Sequence, residues 1–263
     1  MSYQNIFDSH AHYDDERFSG ILEETLRQVR GNGVAYILNA GCDLASSHAG
    51  VELARRYPFF YCAVGIHPHD ASSWSPAVRE ELTALAAEKK VVAIGEIGLD
   101  YHYDFSPRGQ QREAFEAQLI LAQELGLPVI IHSREATADT LALLQKYRPR
   151  GVVHCFSGSA ETAREILALG MYLGYTGAVT FKNARKILDA VRVTPDDRLL
   201  LETDCPYMAP VPFRGKTCTS DMIAYTAERI AQLKDMDPQK LIDLAHENTR
   251  RCFSIPDSER SPR

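Results

Sequence analysis

The chain has 263 residues, of which 45% are hydrophobic, and a formal net charge of −6. That much apolar sequence buries a substantial core, as one large α/β domain or two small ones. The acidic balance excludes a broad basic surface of the kind that wraps nucleic acid by displacing phosphate counterions. It leaves open a phosphate-bearing substrate at a localised site, because bound divalent cations add positive charge that the residue tally omits.

Residues Met1 to Asn5 show no basic region leading into an apolar run, and no stretch reaches the roughly 18 apolar residues of a membrane span. The expectation is a soluble, cytoplasmic protein without a membrane partner or an obligate protein partner. The six cysteines, Cys42, Cys62, Cys155, Cys205, Cys218 and Cys252, form no C-x-x-C pair. They read as reduced apolar fillers rather than as a zinc knuckle or a disulfide framework.

In chain order, short apolar runs alternate with helical patterns. The candidate strands are Ile6–Asp8, Ala35–Asn39, Phe60–Gly65, Val91–Gly95, Pro128–Ile131, Gly151–Val153, Met171–Gly174 and Leu199–Leu201. Helical periodicity falls on Leu22–Arg30, Ser47–Tyr57, Ala77–Lys89, Gln110–Leu125, Thr137–Lys146, Glu161–Leu169 and Ala184–Val191. Two further helices, Ser220–Leu233 and Pro238–Arg250, follow a proline-rich loop from Pro206 to Thr219. Eight such alternations point to a parallel sheet closed as a (β/α)8 TIM-like barrel over residues 1–255, with a polar, flexible tail over 256–263. An open doubly wound sheet is the alternative, but no glycine-rich phosphate loop follows any run.

A barrel of this kind carries its site at the C-terminal ends of the strands. His10 and His12 follow the first run, sharing one strand face with backbones about 7 Å apart. Glu96 follows the fourth run, His132 the fifth, His154 the sixth, and Glu202 and Asp204 the eighth. Four imidazoles with Glu96 and Asp204 exceed what one tetrahedral ion needs, which indicates two divalent ions sharing a ligand. Glu96 is the natural bridge, since a carboxylate offers one oxygen to each ion. The mixed donor set leaves Mg, Mn, Zn and Fe open. His67 and His69 are candidates to line the site, whereas His48, His102 and His246 read as ordinary surface residues.

Taken together, His10-Ala11-His12, Gly65-Ile66-His67-Pro68, Gly95-Glu96-Ile97-Gly98-Leu99-Asp100-Tyr101, Ile131-His132-Ser133-Arg134, Val153-His154-Cys155-Phe156-Ser157-Gly158 and Leu201-Glu202-Thr203-Asp204 closely resemble the TatD-like metal-dependent deoxyribonucleases of the amidohydrolase superfamily. The resemblance spans essentially the whole chain. It implies a dinuclear site, with His10, His12, Glu96 and Asp204 on one ion and Glu96, His132 and His154 on the other. It also implies hydrolysis of phosphodiester bonds in DNA, often from the 3′ end. One departure is Thr217-Cys218-Thr219-Ser220 after Arg214-Gly215-Lys216, where the family commonly has an Arg-Asn and a Pro.

Within this reading Asp204 is the candidate general base and Glu96 the shared ligand. Arg134 and His67 are candidates to hold substrate, Arg134 through a phosphate oxygen, with an ion pair to a rim carboxylate as its alternative role. Glu202 is a candidate either to contact substrate or to orient a ligand from behind, and Asp100 and Tyr101 to shape the rim. A rival hydrolase reading replaces DNA with a small phosphoester, lactone or amide. A rival of another class is a metal-binding or interaction protein without turnover.

Overall fold

The structure is a computed structural model and describes residues 3–256. The expected flexible tail therefore lies, beyond Pro256, outside the described residues. Eight strands run in chain order: β1 (Ile6–Ala11), β2 (Val34–Ala40), β3 (Phe60–Val64), β4 (Val91–Asp100), β5 (Val129–Arg134), β6 (Gly151–Val153), β7 (Tyr172–Tyr175) and β8 (Leu199–Leu201). The helices between and after them are α1 (Leu22–Gly31), α2 (Leu44–Arg56), α3 (Pro76–Ala86), α4 (Arg108–Leu125), α5 (Thr137–Tyr147), α6 (Ala160–Ala168), α7 (Arg185–Val193), α8 (Ile223–Lys234) and α9 (Pro238–Cys252). Strand order in the sheet follows chain order, and Ala11 meets Cys205, just past β8, in a parallel bridge. The fold is the expected (β/α)8 barrel.

Local sequence explains the boundaries. Asp43 and Ser46 form a reciprocal capping box at the start of α2, while Ser75 and Asp237 cap α3 and α9 just before a proline at the first helical position. Each satisfies amide groups that the first helical turn leaves without partners. Gly126 ends α4 in the left-handed conformation with φ of 66°, which costs glycine little. Every residue of β1 and β4 is buried, as expected of strands covered on both faces.

The described residues fall into two compact units, one drawn from Met1–Asn39, Cys155–Arg164 and Leu173–Arg263, the other from Ala40–His154 and Glu165–Tyr172. In the first, β7 pairs with β8 through Leu173↔Leu199 and Tyr175↔Leu201, and the Asn248 amide of α9 donates to the Leu199 carbonyl at 2.8 Å. His246, expected at the surface, is instead buried on α9. Its Nδ1 lies 2.9 Å from the Asn5 carbonyl oxygen and its ring stands edge-on to Phe7 at 5.5 Å. It sits four residues after the buried Ile242, on the helix face that packs inward.

In the second unit, β3 to β6 pair in succession, and the β4–β5 pairing runs well beyond the predicted strand ends, through Gly98↔His132 to Asp100↔Arg134. Glu96 and His132 therefore lie within strands and not after them. Gly98 permits the extension. Its φ is 147°, and a Cβ there would strike the His132 carbonyl oxygen. The predicted helix from Ser220 begins as a 3-10 turn, Ser220–Met222, because Ser220 is engaged elsewhere, as described below. All six cysteines are free thiols, four buried and Cys42 and Cys155 half-buried. Among the described residues no helix is long and apolar enough to cross a membrane.

Candidate metal centre

In the first unit, backbone pairing sets the end of β8 beside β1. The Asp204 amide donates to the His10 carbonyl at 2.9 Å and the His12 amide to the Cys205 carbonyl at 2.8 Å. This brings three ligand atoms together: His10 Nε2 and His12 Nε2 are 3.1 Å apart, and Asp204 Oδ1 lies 3.7 Å from the first and 3.3 Å from the second. Ligands about 2.0–2.1 Å from a tetrahedral ion stand about 3.3 Å from one another. The cluster has the dimensions of a metal cradle, and Asp204 reaches it with φ of 60°, a left-handed conformation that Asp tolerates better than most residues.

Asp8 braces this cluster from beneath. Its fully buried carboxylate accepts from the Thr203 amide at 3.0 Å, the Ser220 hydroxyl at 2.7 Å and the His10 amide at 3.3 Å. Burial raises its pKa to about 6 against the opposing pull of the Ser220 and Thr203 hydrogen bonds. The Ser220 hydroxyl also meets the Tyr13 hydroxyl at 2.8 Å.

The second unit holds a separate cluster. Glu96 Oε1 lies 2.8 Å from His132 Nδ1 and 2.7 Å from His154 Nε2, and those two nitrogens are 3.4 Å apart. The ring of His132 uses its other nitrogen, Nε2, to meet Asp100 Oδ2 at 3.1 Å. A carboxylate behind a ligating imidazole fixes the ring's orientation and tautomer and raises its basicity. Burial works against protonation of His132, but the Asp100 and Glu96 hydrogen bonds outweigh it and carry its pKa to about 9. Replacing Asp100 by Asn puts a neutral amide behind the ring; metal affinity is expected to fall by about 10–100-fold, read by chelator competition, and unchanged affinity would remove Asp100 from this role.

His67 Nε2 lies 3.5 Å from Glu96 Oε1. Its Nδ1 accepts from the His69 amide at 3.1 Å, and burial first of all holds the ring neutral, well below the usual histidine pKa. An accepting Nδ1 on a neutral ring leaves the proton on Nε2, so His67 presents a donor toward the cluster. Arg134 is exposed and places its guanidinium 4.7 Å over the Tyr103 ring.

Glu202 is 0% exposed, and its carboxylate accepts from the Cys155 amide, which anchors the chain just after His154 and suits the positioning role rather than the substrate contact. Gly174 makes the room, since a Cβ there would collide with that carboxylate. Tyr101 turns aside to donate to Asp139 at 2.6 Å. His48 and His102 are exposed, as expected, and pair with Glu81 at 2.6 Å and Glu135 at 2.8 Å. The residues that sequence reasoning undervalued are Asp8 and Asp100. The only local signal for either was an acidic residue embedded in an apolar strand.

Residues 7–254 match the TatD related DNase family. The chain belongs to that family. Like its relatives it is a metal-dependent hydrolase. The metal-dependent hydrolase YabD of Bacillus subtilis is 43% identical over 95% of this chain and 99% of its own length. The 3′-5′ ssDNA/RNA exonuclease TatD of Cronobacter sakazakii is 39% identical over 94% of this chain and 97% of its own. The crystal structure of the TatD homolog YJJV from Escherichia coli superposes with a TM-score of 0.91 at 32% identity, covering 96% of this chain and 99% of that one. This TatD family chain thus carries the family's barrel with imidazole and carboxylate clusters that can hold metal.

Proposed function

We propose that the protein is a nuclease of the 3′-5′ exonuclease type, hydrolysing phosphodiester bonds of single-stranded DNA with two divalent cations. The observation that supports this reading best is the convergence of ligand atoms into two three-atom sets, spaced 3.1–3.7 Å in the first unit and 2.7–3.4 Å in the second. The Cronobacter relative's name adds the substrate class. In this proposal His10, His12 and Asp204 would hold one ion and Glu96, His132 and His154 the other.

Divalent cations held by these residues would supply Lewis-acid polarisation of a phosphoryl oxygen and of water. The protein's own groups do the rest. Asp204 accepts the proton of the attacking water on its carboxylate. The Nε2 proton of His67 donates to a phosphoryl oxygen, where negative charge accumulates in the transition state. Arg134 holds a second phosphate oxygen. Asp100 and Asp8 keep the imidazole and carboxylate ligands in place.

The test compares strands labelled at the 3′ or the 5′ end with bis-p-nitrophenyl phosphate and simple lactones, each with Mg, Mn or Zn and after EDTA. Stepwise loss of nucleotides from the 3′ end, abolished by EDTA and restored by metal, is the expected result. Turnover of lactone or small phosphoester with intact DNA would replace this reading by the small-ester one.

A further inference from the structure

Beside the second-unit cluster, the loop between β4 and α4 displays two aromatic rings to solvent. Phe105 is 68% exposed and Tyr103 48%. Their rings stack with centroids 5.2 Å apart and planes at 18°. The His69 ring stands edge-on to Phe105 at 4.7 Å and to Tyr103 at 5.5 Å, and the Arg134 guanidinium lies 4.7 Å over Tyr103. An apolar side chain as exposed as Phe105 forgoes most of the stabilisation that burial would give it. A floppy loop could tuck the ring away, but this one is pinned.

The pinning residues connect the rings to the metal cluster. Asp100 Oδ1 accepts from the His102 amide at 3.0 Å and the Tyr103 amide at 2.9 Å. The other oxygen of the same carboxylate meets His69 Nε2 and His132 Nε2, each at 3.1 Å. Buried Ser106 donates to the His69 carbonyl at 2.8 Å, and Gln111 donates to the Ser106 carbonyl at 2.8 Å and to that of Asp100 at 3.0 Å. Arg108 grips Asp104 at 2.7 Å. The rings are therefore held one carboxylate away from a candidate metal ligand, in a fixed orientation.

We propose that Tyr103 and Phe105 form a stacking platform for an unpaired nucleobase of the strand whose phosphate lies at the cluster, with Arg134 holding an oxygen of that phosphate. Stacked aromatic faces beside an arginine suit a base joined to a phosphate, because every base offers a π-face and the backbone offers negative charge. A duplex keeps its bases paired and stacked internally, so the platform selects single strands. This rests on the nucleic-acid reading of the active site, and the experiment separates the two.

The holoprotein is titrated with phosphorothioate-linked oligothymidylate and with an abasic oligomer of equal length and charge, using fluorescence anisotropy. The base-bearing strand is expected to bind about 10-fold more tightly. That preference is expected to fall below about 2-fold in the Tyr103→Leu, Phe105→Leu double variant and to persist when the substitutions are Tyr103→Phe and Phe105→Tyr. In the wild-type protein alone, a strand carrying 2-aminopurine should be quenched on binding, which needs no variant to fold. Equal binding of abasic and base-bearing strands, unquenched 2-aminopurine, or a preference untouched by the leucine variant would each overturn the platform. Cleavage of abasic strands as fast as base-bearing ones would overturn it while leaving the nuclease reading standing. Stacking without any cleavage would do the reverse.

Discussion

Glu96→Ala is expected to lower bound metal from two ions per chain to one or fewer and to cut hydrolysis by about 10^3-fold. Glu96 Oε1 is the acceptor that His132 Nδ1 and His154 Nε2 both approach, at 2.8 and 2.7 Å. Without it two imidazoles face each other with no anion between them. Charge stabilisation by a clamped ion supplies several kcal/mol of barrier lowering, and each 1.36 kcal/mol is tenfold in rate. Glu96→Gln keeps the shape of this 3% exposed side chain and guards against a folding artefact. Metal analysis beside kinetics decides the matter: two ions and full activity in the alanine variant would end the bridging assignment.

Asp204→Asn is expected to separate chemistry from metal binding. The asparagine carbonyl can still face His12, where the carboxylate oxygen now lies at 3.3 Å, so the cradle keeps a donor atom, though a weaker one. An amide cannot take up the proton of the attacking water. Loss of a general base costs about 10^2–10^4-fold, and the acid limb of the pH–rate profile should disappear with it. Activity near wild type at saturating metal would pass the role of base to another group.

Much of this candidate site was legible because side chains placed by strands obey a short period. His10 and His12 were found by the two-residue repeat of an extended segment, and Asp204 by its place after a pure leucine run. What the period could not show was how far the strands extend. Glu96 and His132 looked like residues following apolar runs, yet backbone pairing continues past both, because Gly98 lets β4 and β5 approach closely. Asp100 was read only as a rim-shaping residue for a related reason. Its four partners, His69, His132 and the amides of His102 and Tyr103, include two from distant segments, so its role arises from convergence in space. His246 was readable and missed, since its spacing from Ile242 places it on the inward face of α9.

The ligand clusters also differ in when they can exist. His10 and Asp204 are joined by a backbone hydrogen bond of 2.9 Å, so one cradle draws on both ends of the chain. On a translating ribosome, where a chain emerges from its N-terminus, that cradle cannot form until residue 204 has been made. The candidate ligands Glu96, His132 and His154 are all present fifty residues earlier, within the span Ala40–His154. Synthesis thus imposes an order on the two sites, with the donor atoms of the second unit complete first.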